Sequence, residues 1–233
     1  MGIPVRTTTA LAAAGVAFAA SVGLSGPSSK VAWTVETVRF VRSGDVAHGK
    51  KLNGDCAGCH GDAGTTDTPD VPNLAGQDPL YTFKQLSDYK EGTRGSPIMG
   101  EAVKPLSEKD MADLAAFYAS LPPGPAASGV PPEATAVLPL TRIGDGARLM
   151  PACDACHGNR GAGDGGSYGV PRLSGQKFDD MATQLTTFRS GERANDVYRA
   201  MRDVCKHLTD AEIAGLAAYY SGKAPPPPTP APK

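Results

Sequence analysis

The chain carries one unit twice, and that duplication limits what it can fold into more than any other feature. CAGCHG at 56–61 returns as CDACHG at 153–158, and PNLAGQ at 72–77 returns as PRLSGQ at 171–176. QLSDYKEG at 85–92 matches QLTTFRSG at 184–191, and LSEKDMADLAAFY at 106–118 matches LTDAEIAGLAAYY at 208–220. Four ordered matches, with an offset that grows only from 97 to 102, imply two homologous domains rather than one large one. The boundaries that follow are 44–121 for the first domain and 141–223 for the second. A Pro-rich linker over 122–140, expected to be extended and semi-rigid, joins them, and a Pro-rich tail follows over 224–233. Residues 1–43 stand outside the repeat.

Each unit reads as helices joined by loops. Asp78 is a cap residue followed by Pro79, a favoured helix start. Ser107 and Thr209 are caps for the last helix of each unit, and Thr209 with Glu212 has capping-box spacing. Behind them Met111, Leu114, Ala115 and Tyr118 recur at i, i+3, i+4 and i+7, as do Ile213, Leu216, Ala217 and Tyr220. No alternation of strand type competes, so the fold class is all-α. Side chains alone would give a thin core, because Ala, Gly and Pro are abundant and there is a single Trp. A large apolar cofactor would supply the missing buried surface.

The repeated trio names that cofactor. Two thiols at this spacing can each add to a vinyl group of one haem, and the adjacent histidine can ligate its iron. A zinc ribbon would place the second cysteine pair about 15–20 residues away, not 97 residues away in another repeat. A thioredoxin-like site needs a β-α-β context that the sequence lacks. The chain is therefore expected to bind two haem c groups covalently, through Cys56 and Cys59 and through Cys153 and Cys156, with His60 and His157 as axial ligands.

A low-spin carrier needs a sixth ligand, and methionine in that position raises the potential. Of six methionines, only Met99 and Met201 match each other in the repeat, at the offset of the last helix. Both are expected in a loop region between two helices, 39 and 44 residues after their histidines. Met111 aligns with Ile213 and reads as helix core, while Met150 and Met181 have no counterpart. His48 and His207 also lack repeat partners and read as surface residues. An axial histidine normally donates its other N–H to a fixed acceptor. Pro72 and Pro171 are candidates to present that carbonyl, or else simply form a turn before the next helix. Cys205 stands alone, with a buried small residue as its simplest role.

The N-terminus carries one charge in MGIPVR, then an apolar run, with AFA at 17–19 resembling a cleavage site. Two readings fit: a removed export signal, or a retained tether through residues 7–24, which at about 1.5 Å per residue only just reaches across a bilayer core. VAWTVETVRFVRSGD at 31–45 could lie along a membrane surface or pack on the first domain. Either way the rest of the chain is placed outside the cytoplasm. A net charge of −1 and the lack of a Lys/Arg run argue against nucleic acid as a partner.

From Gly44 to Lys223 these motifs resemble the dihaem cytochrome c4 family, built from two class I cytochrome c domains. The resemblance implies two haem domains about a pseudo-twofold axis, with Cys56, Cys59, His60 and Met99 holding one haem. Cys153, Cys156, His157 and Met201 would hold the other, with Pro72 and Pro171 orienting the histidines. It further implies a periplasmic electron shuttle, not an enzyme, with redox-protein partners such as a quinol-oxidising complex, a terminal oxidase or a photosynthetic reaction centre. Two alternatives share the repeat: the electron-accepting subunit of a dehydrogenase of the flavocytochrome c sulfide dehydrogenase type, and a thiosulfate dehydrogenase-like enzyme using Cys205 as a haem ligand.

Overall fold

The computed structural model describes residues 29–125, 129–165 and 169–223, and among them there is no strand, only an isolated bridge between Asp145 and Met150. The first half contains α1 (Val35–Arg42), α2 (Val46–Leu52), α3 (Gly54–His60), α4 (Pro79–Lys90), α5 (Pro97–Val103) and α6 (Glu108–Ser120). The second half opens with a 3₁₀ turn, Pro132–Val137. It continues with α7 (Leu138–Arg142), α8 (Cys153–His157), α9 (Phe178–Ser190), α10 (Ala200–Cys205) and α11 (Asp210–Ser221).

Local sequence accounts for the starts of three of the four long helices, α4, α6 and α11, whereas α9 begins after Lys177 with no side-chain cap. The Asp78 carboxylate accepts the Tyr81 N–H at 2.7 Å, with Pro79 in the first turn of α4. Thr209 and Glu212 close a reciprocal capping box on α11, and Ser107 does the same on α6 with Asp110 in place of the usual Glu or Gln. The expected core stripes point inward. Met111, Leu114, Ala115 and Tyr118 are all buried, and so are Ile213, Leu216, Ala217 and Tyr220. Fully burying a side chain such as Leu114 or Leu216 is worth about 1.5–3 kcal/mol.

One segment decides between two open readings, and another differs from the sequence expectation. The stretch after residue 30 forms α1, capped by the Thr34 hydroxyl, and packs on α4 and α6. Val41 is fully buried there and the Phe40 ring meets Phe83 edge-on, with centroids 6.1 Å apart. Apolar residues that could have faced a membrane surface are used as core. The second part of the expected extended linker is helical. Ala134, Val137 and Leu140 recur at helical spacing and are buried against the core that contains α11, and Pro132 and Pro139 stand in first turns, where proline suits a helix start.

No helix among the described residues is long and apolar enough to cross a membrane. The expected signal or tether over 7–24 and the tail at 224–233 lie outside the described residues.

The two halves meet through contacts that obey the repeat. Gln85 and Gln184 are equivalent in it, as are Arg94 and Arg193. Arg94 donates to Gln85 at 2.7 Å and across the boundary to Gln184 at 3.1 Å, while Arg193 donates to Gln184 at 2.5 Å and across to Gln85 at 3.0 Å. Beside this cluster the Lys84 ammonium, almost fully buried, donates to Asp88 at 2.5 Å and to the Asn195 carbonyl of the other half at 2.5 Å.

Candidate functional site

Each Cys-x-x-Cys-His unit lies on one short helix, α3 or α8. Residues three apart share a helix face, so Cys56 and Cys59 project together, as do Cys153 and Cys156. In each pair the first thiol is half-buried and the second exposed. Burial raises the Cys56 and Cys153 thiols, the latter to about 11. Both helices stop at a glycine with positive φ, Gly61 at 78° and Gly158 at 81°. A β-carbon at Gly61 would fall 2.0 Å from the Thr65 carbonyl oxygen, and one at Gly158 would fall 1.9 Å from the Asp164 carboxylate. These glycines let the chain fold tightly back beside the histidine.

The histidines are held alike. His60 Nδ1 lies 3.0 Å from the Pro72 carbonyl oxygen, and His157 Nδ1 lies 2.9 Å from that of Pro171. A carbonyl only accepts, so Nδ1 carries the proton and Nε2 keeps its lone pair for a metal. Burial pushes both imidazoles below their ordinary pKa, against the opposing pull of the proline carbonyls, and so favours the neutral ring that metals bind. The alternative left open by the sequence, a simple turn at these prolines, gives way to an orienting role.

Met99 sits on α5 and Met201 on α10, both half-buried. The loop expectation for them is therefore corrected to short helices. Ser96 caps Met99 N–H at 3.2 Å with Pro97 at the helix start. In the second half Tyr198 and Arg199 take positive φ, 54° and 62°, and turn the chain into α10. Met201 and Cys153 pack on the same core cluster. Met99 shares no hydrogen bond or core cluster with His60 among the described residues.

Met111, Met150 and Met181 are buried in the cores. His48 faces the buried Asp113, with Nδ1 2.8 Å from Oδ2, and His207 is exposed. Among the described residues no group of three or more His, Cys, Asp or Glu could hold a metal ion, so a zinc-type cluster is not built. The donor set does suit haem: thiols paired on one face, a neutral imidazole with a free Nε2, and half-buried thioethers. Large apolar side chains stand exposed beside the methionines, Ile98 at 77% and Tyr198 at 88%.

Two residues were not singled out in the sequence although their motif was. Gln77 and Gln176 end the repeated PNLAGQ and PRLSGQ, and each reaches into the other half of the molecule.

An all-helical tandem repeat with two such centres defines a dihaem c-type cytochrome with covalently bound haem c. The profile described as Cytochrome c matches residues 46–122, and that described as Cytochrome C oxidase, cbb3-type, subunit III matches 143–219. Cytochrome c4 of Thiocapsa roseopersicina is 40% identical over 172 residues, covering 74% of this chain and 88% of that one. The crystal structure of reduced recombinant cytochrome c4 from Pseudomonas stutzeri superposes with a TM-score of 0.70 at 35% identity, covering 77% of this chain and 99% of that one. A protein of Stutzerimonas stutzeri named thiosulfate dehydrogenase electron acceptor is 37% identical, covering 71% of this chain and 77% of that one. The chain belongs to the cytochrome c4 family, and its role lies in electron transfer.

Proposed function

We propose that the chain is a periplasmic single-electron carrier in which His60 and Met99 ligate one iron and His157 and Met201 the other. The observation that carries this reading is the duplicated histidine–proline bond, which presents a neutral Nε2 in both halves, together with the one methionine pair that the repeat preserves. Haem c, when attached, supplies a one-electron couple. Cys56, Cys59, Cys153 and Cys156 would hold it through thioether bonds, Pro72 and Pro171 would keep the imidazoles oriented, and Met99 and Met201 would supply the second ligand to each iron. With both ligands to each iron supplied by the protein, no position would be left for a substrate, which favours a carrier over an enzyme.

Donors and acceptors in this reading are redox proteins: a quinol-oxidising complex, a terminal oxidase or a photosynthetic reaction centre. The halves differ in charge, with 7 Lys/Arg against 12 Asp/Glu over 44–121 (−5) and 11 against 10 over 141–223 (+1). Such asymmetry steers the two faces toward different partners.

A second reading is favoured by the relative named as an electron acceptor for thiosulfate dehydrogenase: this chain would take electrons from a dehydrogenase of that kind, still as a carrier. The enzymatic alternative rests on Cys205. That residue is fully buried in the second core, where burial raises its thiol to about 12, and it packs there as a small apolar side chain. Cys205→Ser is expected to leave the haem spectrum and both potentials unchanged, as read by potentiometric titration. A changed axial signature in that variant would restore the enzyme reading.

A further inference from the structure

The histidine acceptors are not the ends of their hydrogen-bond chains. The Pro72 carbonyl that accepts from His60 belongs to the same peptide group as the Asn73 N–H, and that N–H donates at 3.0 Å to Gln176 Oε1 of the other half. Gln176 Nε2 in turn donates to the Asn73 carbonyl at 2.6 Å, so both ends of its amide are fixed. The arrangement repeats in reverse. The Pro171 carbonyl accepts from His157, and its peptide N–H, that of Arg172, donates at 2.7 Å to Gln77 Oε1. Gln77 Nε2 donates to the Arg172 carbonyl at 3.1 Å. Gln77 and Gln176 are repeat equivalents, so one contact is used twice with the two halves exchanged. Gln77 is 5% exposed, which keeps water from competing for its relay.

We propose that Gln176 is a positioning residue for the haem of the first half and Gln77 for the haem of the second, each setting the potential of a centre it never touches. The physical link is polarisation of the shared peptide. Donation by a peptide N–H makes its carbonyl oxygen a stronger acceptor, and chained hydrogen bonds strengthen one another by about 10–30% each. The histidine Nδ1–H is then drawn more firmly, Nε2 becomes more basic, and the oxidised metal is favoured. Each half thereby lowers the potential of the other's centre. The proposal rests on His60 and His157 being the axial ligands.

The test uses the full-length holoprotein. Gln176→Met keeps length and bulk but removes the acceptor. The expected result is a rise in the potential of the first haem alone, with its reduction equilibrium shifted about two- to threefold, or about 18–28 mV at about 59 mV per tenfold for one electron. In the reduced, diamagnetic protein the His60 Nδ1 proton should move upfield while that of His157 stays. Gln77→Met should give the mirror result, and it stands as the test by itself should Gln176→Met fail to accumulate. Asn73→Ala is the structural control. It removes the two side-chain contacts of that residue, Asn73 Nδ2 to the Gly175 carbonyl at 3.0 Å across the boundary and the Thr66 N–H to Asn73 Oδ1 at 3.1 Å within the first half. The backbone N–H and carbonyl of residue 73 keep the relay to Gln176, so neither potential should move. Shifts of both haems together, a shift in the substituted residue's own half, or an equal effect of Asn73→Ala would overturn the relay. A far-red methionine–Fe(III) band retained in every variant separates that outcome from failure of the ligation itself.

Discussion

Met201→His will lower the potential of one haem by an amount on the order of a few hundred millivolts and remove about half of the far-red methionine–iron absorption. Axial ligands set haem potentials over a span of about 0.8 V, and thioether ligation sits toward the high end because it favours the reduced metal. The other haem should keep its potential, since Met99 belongs to the separate first half. The informative contrast is Met150→Leu. Met150 is only three residues from Cys153 in sequence, yet it is 4% exposed in the second core cluster and aligned with no methionine in the first half. A volume-conserving swap there costs under about 1.5 kcal/mol and should leave the spectrum untouched. Potentiometric titration of both variants checks the pair. If Met150→Leu loses the band and Met201→His does not, the ligand assignment is reversed.

The second large effect is on stability. Lys84 and Asp88 are 4% and 1% exposed and form an ion pair one helical turn apart on α4. Burial lowers the Lys84 pKa, and the hydrogen bond to Asp88 opposes that shift. Lys84→Met is expected to destabilise the holoprotein by about 3–5 kcal/mol, because it leaves a carboxylate buried without its cation. It also strips the Asn195 carbonyl of its donor across the boundary between the halves. For a chain of this size that corresponds to a fall in Tm of roughly 6–20 °C. Removing the whole pair as Lys84→Met with Asp88→Leu should cost much less than the sum of the single changes, since both charges then leave together. Thermal unfolding followed at the haem band measures each variant. A single substitution that leaves Tm unchanged would show that the pair is open to water.

Much of this architecture is legible in the sequence because its causes are local. Asp78 with Pro79, Ser107, and Thr209 with Glu212 act within one helical turn. The Met111 and Ile213 stripes need only the helical period to reveal their buried faces. The prolines could be nominated as histidine partners because the repeat paired them, but only coordinates could separate an orienting carbonyl from a plain turn. What was not legible depends on distant partners. The α1 segment has the composition of a surface-seeking helix until Phe83 and α6 are known to lie beneath it. The turn over 132–137 starts on Pro132, which suits a first helical turn, but the burial of Ala134 and Val137 against the second core that holds it there is invisible in the local sequence. Gln77 and Gln176 show in sequence only as repeated letters, because their partners lie 95 and 103 residues away.

The central claim is that this chain holds two haems with the same pair of axial atoms in each half. The most direct measurement is a far-red absorption spectrum of the oxidised holoprotein, with the haem content per chain determined on the same sample. Two c-type haems per chain and a methionine–Fe(III) band with the intensity of two centres, which disappears on full reduction, are the expected result. A band with the intensity of one centre, or a single haem per chain, would contradict it.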